Sequence, residues 1–144
     1  MVSNEEDLNR LAIQAQLLQR QGQALQEQLD MMQTNITDLN ATIDTLDNLS
    51  KAAKVGMLPI GSGAYITCQK VDTENVLISV GAGMIVTKKA SDAADIMRKR
   101  LKTVGDAFDR SQKNLVNINQ QLQDLNAKAS LLASRMEDVR PTEG

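Results

Sequence analysis

The stretch from Ser79 to Lys88, SVGAGMIVTK, holds two glycines, a serine and a lysine, the ingredients of a phosphate cradle. Such a cradle needs the spacing GxxxxGK[ST] at the opening of a helix, where backbone N–H groups and the helix dipole meet the anion. Here the glycines lead instead into the β-branched run MIVTK, which reads as a strand. Gly61-Ser62-Gly63 has the same character, and both segments read as tight turns in which glycine supplies the backbone angles. Other constellations are thinner. The chain has no His, so the commonest general base and nitrogen ligand is missing. A single Cys excludes an internal disulfide and a thiolate cluster, and Cys68 reads as a small buried hydrophobe in a strand. The carboxylates are scattered over helix exteriors, with no pair whose apolar neighbours would separate their pKa values. The basic run Arg98, Lys99, Arg100, Lys102 is balanced by Asp92, Asp95, Asp106 and Asp109. It reads as a solvated helix face, or else as a grip for an acidic partner. Neither an enzyme nor a cofactor is expected.

These residues must be positioned by a chain of 144 residues with Lys+Arg 16, Asp+Glu 18 and a formal net charge of −2. The apolar fraction of 42% contains one Tyr, one Phe and no Trp. Compact cores usually rely on rings that bury about 150–250 Å² each, so an elongated helical design fits better. The charge balance argues against nucleic acid. No apolar run approaches the roughly 20 residues of a membrane helix. The polar, acidic start MVSNEEDLNR is no secretory signal. Cysteine usage fits a reducing cytoplasm.

Residues 8 to 46 carry an unbroken heptad repeat. Position a falls at Leu8, Ala15, Gly22, Leu29, Ile36 and Ile43, and position d at Leu11, Leu18, Leu25, Met32, Leu39 and Leu46. Only Gly22 is not an apolar side chain, which is the signature of a coiled coil. Ser3 and Glu6 suit a capping box, and Lys51, Lys54, Gly56 and Pro59 suit a helix end. A second repeat runs from Ala94 to Val139, with Ser111 its one polar seam residue, Ser91 as its N-cap and Pro141 as its stop. Between the helices, β-branched runs separated by glycine or Asp/Asn clusters predict four short strands in two hairpins. The expected fold is therefore mainly α with a small β insert: one unit over 1–144, with a helix at 3–56, two β-hairpins at 57–89 and a helix at 91–140. The helices pack as a long antiparallel coiled-coil hairpin. The preferred register sets Leu8 across from Val139 and Gly22 across from Leu125. A slip of one heptad preserves the same pattern.

Eight e and g positions of the first helix (Gln14, Gln19, Gln21, Gln26, Gln28, Gln33, Asn35 and Asn40) are uncharged. Ion pairs that select partners between chains are therefore scarce there, and oligomer specificity falls to the strands. The strands are too small for a free-standing sheet and leave open edges, so Leu58, Ile60, Tyr65, Ile66, Val76, Ile78, Val80, Ile85 and Val86 are expected to assemble an oligomeric β-barrel. At the opposite tip, Ile13, Leu17 and Leu131 fall off the seam. With Leu8, Leu11, Leu18, Leu132, Met136 and Val139 they form a candidate apolar binding site.

The segments LPIGSGAYI (58–66) and VLISVGAGMIVTKKASDA (76–93), set between two heptad helices, resemble the archaeal prefoldin alpha class. The likeness covers nearly the whole chain, and the four-strand insert separates this class from the single-hairpin beta class. The resemblance implies a hexamer of two alpha and four beta subunits with a double β-barrel body. It also implies an ATP-independent holdase whose coiled-coil tips hold non-native proteins and deliver them to a group II chaperonin. The Gln-rich tip departs from this pattern and predicts less hydrophobic client contact. A structural coiled-coil spacer without client binding is the alternative.

Overall fold

The computed structural model describes residues 4–49 and 56–139. Two long helices, α1 (Asn4–Asn48) and α2 (Ala90–Val139), enclose four strands: β1 (Gly56–Gly61), β2 (Ala64–Cys68), β3 (Val76–Gly81) and β4 (Met84–Lys88). The helix–hairpin–hairpin–helix order matches the expectation. The chain divides into two compact units, a helical one formed by residues up to 32 and from 107 onward, and a strand-bearing one formed by 33–106.

In the helical unit the heptads work as the pattern requires. Gly22 and Leu29 are buried, and Leu8, Leu11, Ala15, Leu18, Leu25 and Met32 are half-buried, whereas their neighbours on α1 are exposed except for Asp7. On α2 the same holds from Phe108 and Ser111 through Leu132 and Met136. The register is one heptad away from the preferred one. A methyl group on Gly22 would lie 3.5 Å from Ile118 Cγ2 and 3.8 Å from Leu115 Cδ1, not against Leu125. Continued along the repeat, this register sets Leu8 across from Leu132 instead of Val139. It also places each small seam residue (Ala15, Gly22, Ser111, Ala129) across from a large one, so that layers interdigitate. In the strand-bearing unit, Leu46 near the end of α1 is buried with Ala93 and Ala94 at the start of α2, a pairing that follows the same register.

The strand-bearing unit holds two separate two-stranded antiparallel sheets, β1–β2 and β3–β4. Each hairpin reverses through a two-residue turn whose central residues both carry positive φ. These are Ser62 (49°) with Gly63 (79°), and Ala82 (52°) with Gly83 (74°). Such turns match the right-handed twist of paired strands. The two hairpins also repeat one another at an offset of twenty residues. Leu58 pairs with Ile66 as Ile78 pairs with Val86, and the register shifts at Pro59/Gly61 as at Ser79/Gly81. The second hairpin is seated: Ile78 is 2% exposed in a cluster with Leu46, Ala93 and Ala94, flanked by Val76, Val86, Ile96 and Met97.

Local caps differ in part from those expected. Asp72 closes the turn between the hairpins, accepting the backbone N–H of Glu74 (3.0 Å) and Asn75 (3.1 Å) and the Asn75 side-chain amide (2.9 Å). Those bonds, the Asn75 side chain foremost, hold the Asp72 carboxyl below its ordinary pKa. α2 begins at Ala90, so Ser91 sits inside the first turn and is not the cap. The Ala90 N–H is instead satisfied by the Thr73 carbonyl at 2.8 Å. α1 ends at Asn48, and Gly56 opens a strand. Ser3, Lys51, Lys54 and Pro141 lie outside the described residues.

Candidate interaction surfaces

The would-be phosphate loop is the turn of the second hairpin, Gly81-Ala82-Gly83, with a strand on either side and no helix N-terminus behind it. Cys68 is half-buried, its thiol donating to the Lys70 carbonyl at 3.0 Å. Among the described residues no three His, Cys, Asp or Glu side chains gather closely enough to hold a metal. No helix among them is long and apolar enough to cross a membrane. The basic run does structural work at two positions. Arg98 donates to both Asp47 oxygens (2.6 Å to Oδ1) and to Asp95 Oδ1 at 2.9 Å, joining α2 to α1. Arg100 donates to the Ser79 carbonyl at 2.7 Å, joining α2 to β3. Only Asp95 of the expected counter-charges takes part, and Asp47 was not among them.

What remains at the surface is apolar. In the helical unit Ile13, Leu17 and Leu131 are 59%, 54% and 57% exposed, as their off-seam positions require. Leu8, Leu11, Leu18, Leu132 and Met136 are half-buried seam residues, and the Val139 side chain lies outside the described residues. Leu131 shares a groove of about 410 Å³ with Leu11 and Leu132, and Leu17 shares the next groove with Leu18 and Leu125. Ile13 lines neither. Met31 and Val116 are also exposed, at heptad positions c and b, and were missed. Counting off-seam apolar residues along the whole repeat would have found them.

In the strand-bearing unit the assembly candidates divide. Leu58, Ile60, Tyr65 and Ile66 of the first hairpin are exposed on both of its faces. On the second hairpin Val80 and Ile85 are exposed, together with Leu77 and Met84, which lie outside the expected set. Ile78, with Val76 and Val86 beside it, belongs to the chain's own core instead. Its side chain is therefore not part of the exposed surface of this chain.

Comparison with known proteins places these surfaces in a family context. The family model described as "Prefoldin subunit" matches residues 18–135. The Prefoldin subunit alpha of Methanosarcina acetivorans is 28% identical over 92% of this chain and 96% of that protein. The one from Methanococcoides burtonii is 33% identical over 83% of this chain and 88% of its own length. Prefoldin subunit alpha 1 of Thermococcus kodakarensis is 34% identical over 71% of each. Among solved structures, a filamentous PFD from Methanocaldococcus jannaschii shares the fold with a TM-score of 0.64. It is 18% identical, covering 78% of this chain and 94% of that one.

Proposed function

The chain belongs to the prefoldin family, a chaperone family, and on that premise we propose that it is the alpha-class subunit of an ATP-independent holdase. Its helical unit captures non-native proteins, and a group II chaperonin receives them. The observation that carries this reading is the exposure of Ile13, Leu17 and Leu131 at the ends of the paired helices. The seam does not need them for packing, and exposed apolar clusters of this kind mark binding sites. Assembly rests on the hairpins. A free first hairpin with Leu58, Ile60, Tyr65 and Ile66 in solvent needs partner strands to cover it and to complete its edges. Beta-class subunits, four to two alpha chains, are the proposed partners in a closed double barrel, and the cytoplasm is the proposed compartment. Holding by several weak sites on one body gives avidity without a single tight site, so transfer remains possible.

The test is suppression of aggregation of a chemically denatured, unrelated protein. Changing Ile13, Leu17 and Leu131 together to Ser leaves assembly and melting nearly unaltered, since exposed substitutions shift stability within about 0.5 kcal/mol. Capture weakens, most visibly in a hexamer whose beta-class coil ends are truncated. Unchanged capture there would assign client binding elsewhere. No capture even by the native hexamer would favour a structural spacer.

A further inference from the structure

Three neighbouring grooves of the helical unit run into one another. The first two share Gln14 and Lys128, and the second and third share Gln21 and Gln121. All the shared residues occupy position g, so the grooves form one continuous channel along a single flank of the helix pair. We infer that this channel binds the client as an extended chain, and that it prefers apolar segments bordered by acidic residues. The inference rests on the holdase reading and deepens it by naming the kind of segment taken.

Three features of the lining point to that occupant. The first is the amides. Gln14, Gln21 and Gln121 are uncharged, and each offers one acceptor and two donors. An extended polypeptide presents unpaired N–H and C=O groups that such side chains can satisfy whatever its sequence. The second is spacing. Successive g residues on one helix lie about 10.5 Å apart, close to the rise of three extended residues at about 3.3–3.4 Å each. A client strand therefore meets an amide at about every third residue, from alternate edges, while Leu17 and Leu131 beside them accept its apolar side chains. The third is charge. The end groove is lined by Arg10, Lys128 and Arg135 against one carboxylate, Asp7. None of these three cations is held in an ion pair among the described residues. The opposite flank, positions e and b, carries Glu5, Asp30, Asp109 and Glu137 over the same unit and, among the described residues, no Lys or Arg. A carboxylate leaving the apolar channel at its end meets cations on one flank and repulsion on the other.

The test uses the assembled full-length protein and three fluorescein-labelled unstructured peptides, each with the same Leu/Ile core, flanked by Asp, by Ser or by Lys. At low salt the Asp-flanked peptide should bind roughly fivefold or more tighter than the Lys-flanked one. The preference should shrink as ionic strength shortens the screening length. The combined change Arg10→Gln, Lys128→Gln, Arg135→Gln should abolish the preference and leave the Ser-flanked peptide's affinity within about twofold. Methylating the core's backbone nitrogens, which removes its donors, should weaken binding to the wild type. Equal binding of the Asp- and Lys-flanked peptides, or a preference that survives the triple change, overturns the inference while leaving the holdase reading intact. Failure to bind the Ser-flanked peptide, together with no suppression of aggregation, overturns both.

Discussion

Gly22→Ala offers a direct test of how the two helices meet. Glycine in a helix interior is about 1 kcal/mol less favourable than alanine. The added methyl would sit 3.5 Å from Ile118 Cγ2 and 3.8 Å from Leu115 Cδ1, ordinary contact distances that require no neighbour to move. A buried methyl contributes about 0.8 kcal/mol, so the variant should be more stable by about 1–2 kcal/mol. In a chain of this size each kcal/mol corresponds to about 2–4 °C in Tm. Circular dichroism at 222 nm during heating reads the shift. A double-mutant cycle then locates the contact. Gly22→Ala should couple to Ile118→Ala by more than about 0.5 kcal/mol, and should be additive with Leu125→Ala. A fall in Tm, or coupling to Leu125 in place of Ile118, would refute the packing described here.

Three further outcomes follow from other parts of the molecule. Ile78→Ala should cost about 2–5 kcal/mol of local stability, because it empties the centre of the Leu46–Ala93–Ala94 cluster. Amide exchange would show the second hairpin losing protection while residues 8–32 of α1 keep theirs. Ala82→Gly should stabilise the second hairpin by about 1 kcal/mol by relieving a positive φ that alanine tolerates poorly, seen as slower exchange of the β3–β4 amides. The Asp72 turn should depend on pH: its carboxyl is depressed in the folded chain, so its contribution is complete above about pH 4 and is lost as pH falls through the lower folded value. The Glu74 and Asn75 amide shifts in NMR would follow that loss, and Asp72→Asn should flatten the titration.

The heptads were legible because burial along a helix pair depends only on which residues recur every third and fourth place. The same regularity hid the register, since a seven-residue repeat is unchanged by a seven-residue slip. The contacts show which alternative is taken: Gly22 meets Ile118 and Leu115, and Leu46 packs with Ala93 and Ala94 beside β3. The strands were legible from composition and turn residues. Their inward face was not, because Val76, Leu77, Ile78 and Val80 are apolar on both sides of β3, and only packing against Leu46 of α1 and Ala93 and Ala94 of α2 turns Ile78 inward. Arg98 was visible as a charge, but its partner Asp47 is 51 residues away, and no local pattern announces a pair at that distance. Off-seam Ile13, Leu17 and Leu131 could be read directly, since a helical wheel alone puts them in solvent.

The twin hairpins also bear on the arithmetic of assembly. Counted as a node in a network, a chain with two hairpins has valence two, while a partner with one hairpin has valence one. In any assembly through strand edges, divalent nodes extend and monovalent nodes terminate, so the size of a particle would follow the ratio of the two kinds. The inequality of the twins adds direction. The second hairpin is already anchored to its own helices through Ile78 at 2% exposure, whereas the first keeps Leu58 and Ile66 at 55% and 53%. Such a node has one arm fixed to its helices and one without that anchor, and both arms present exposed apolar side chains.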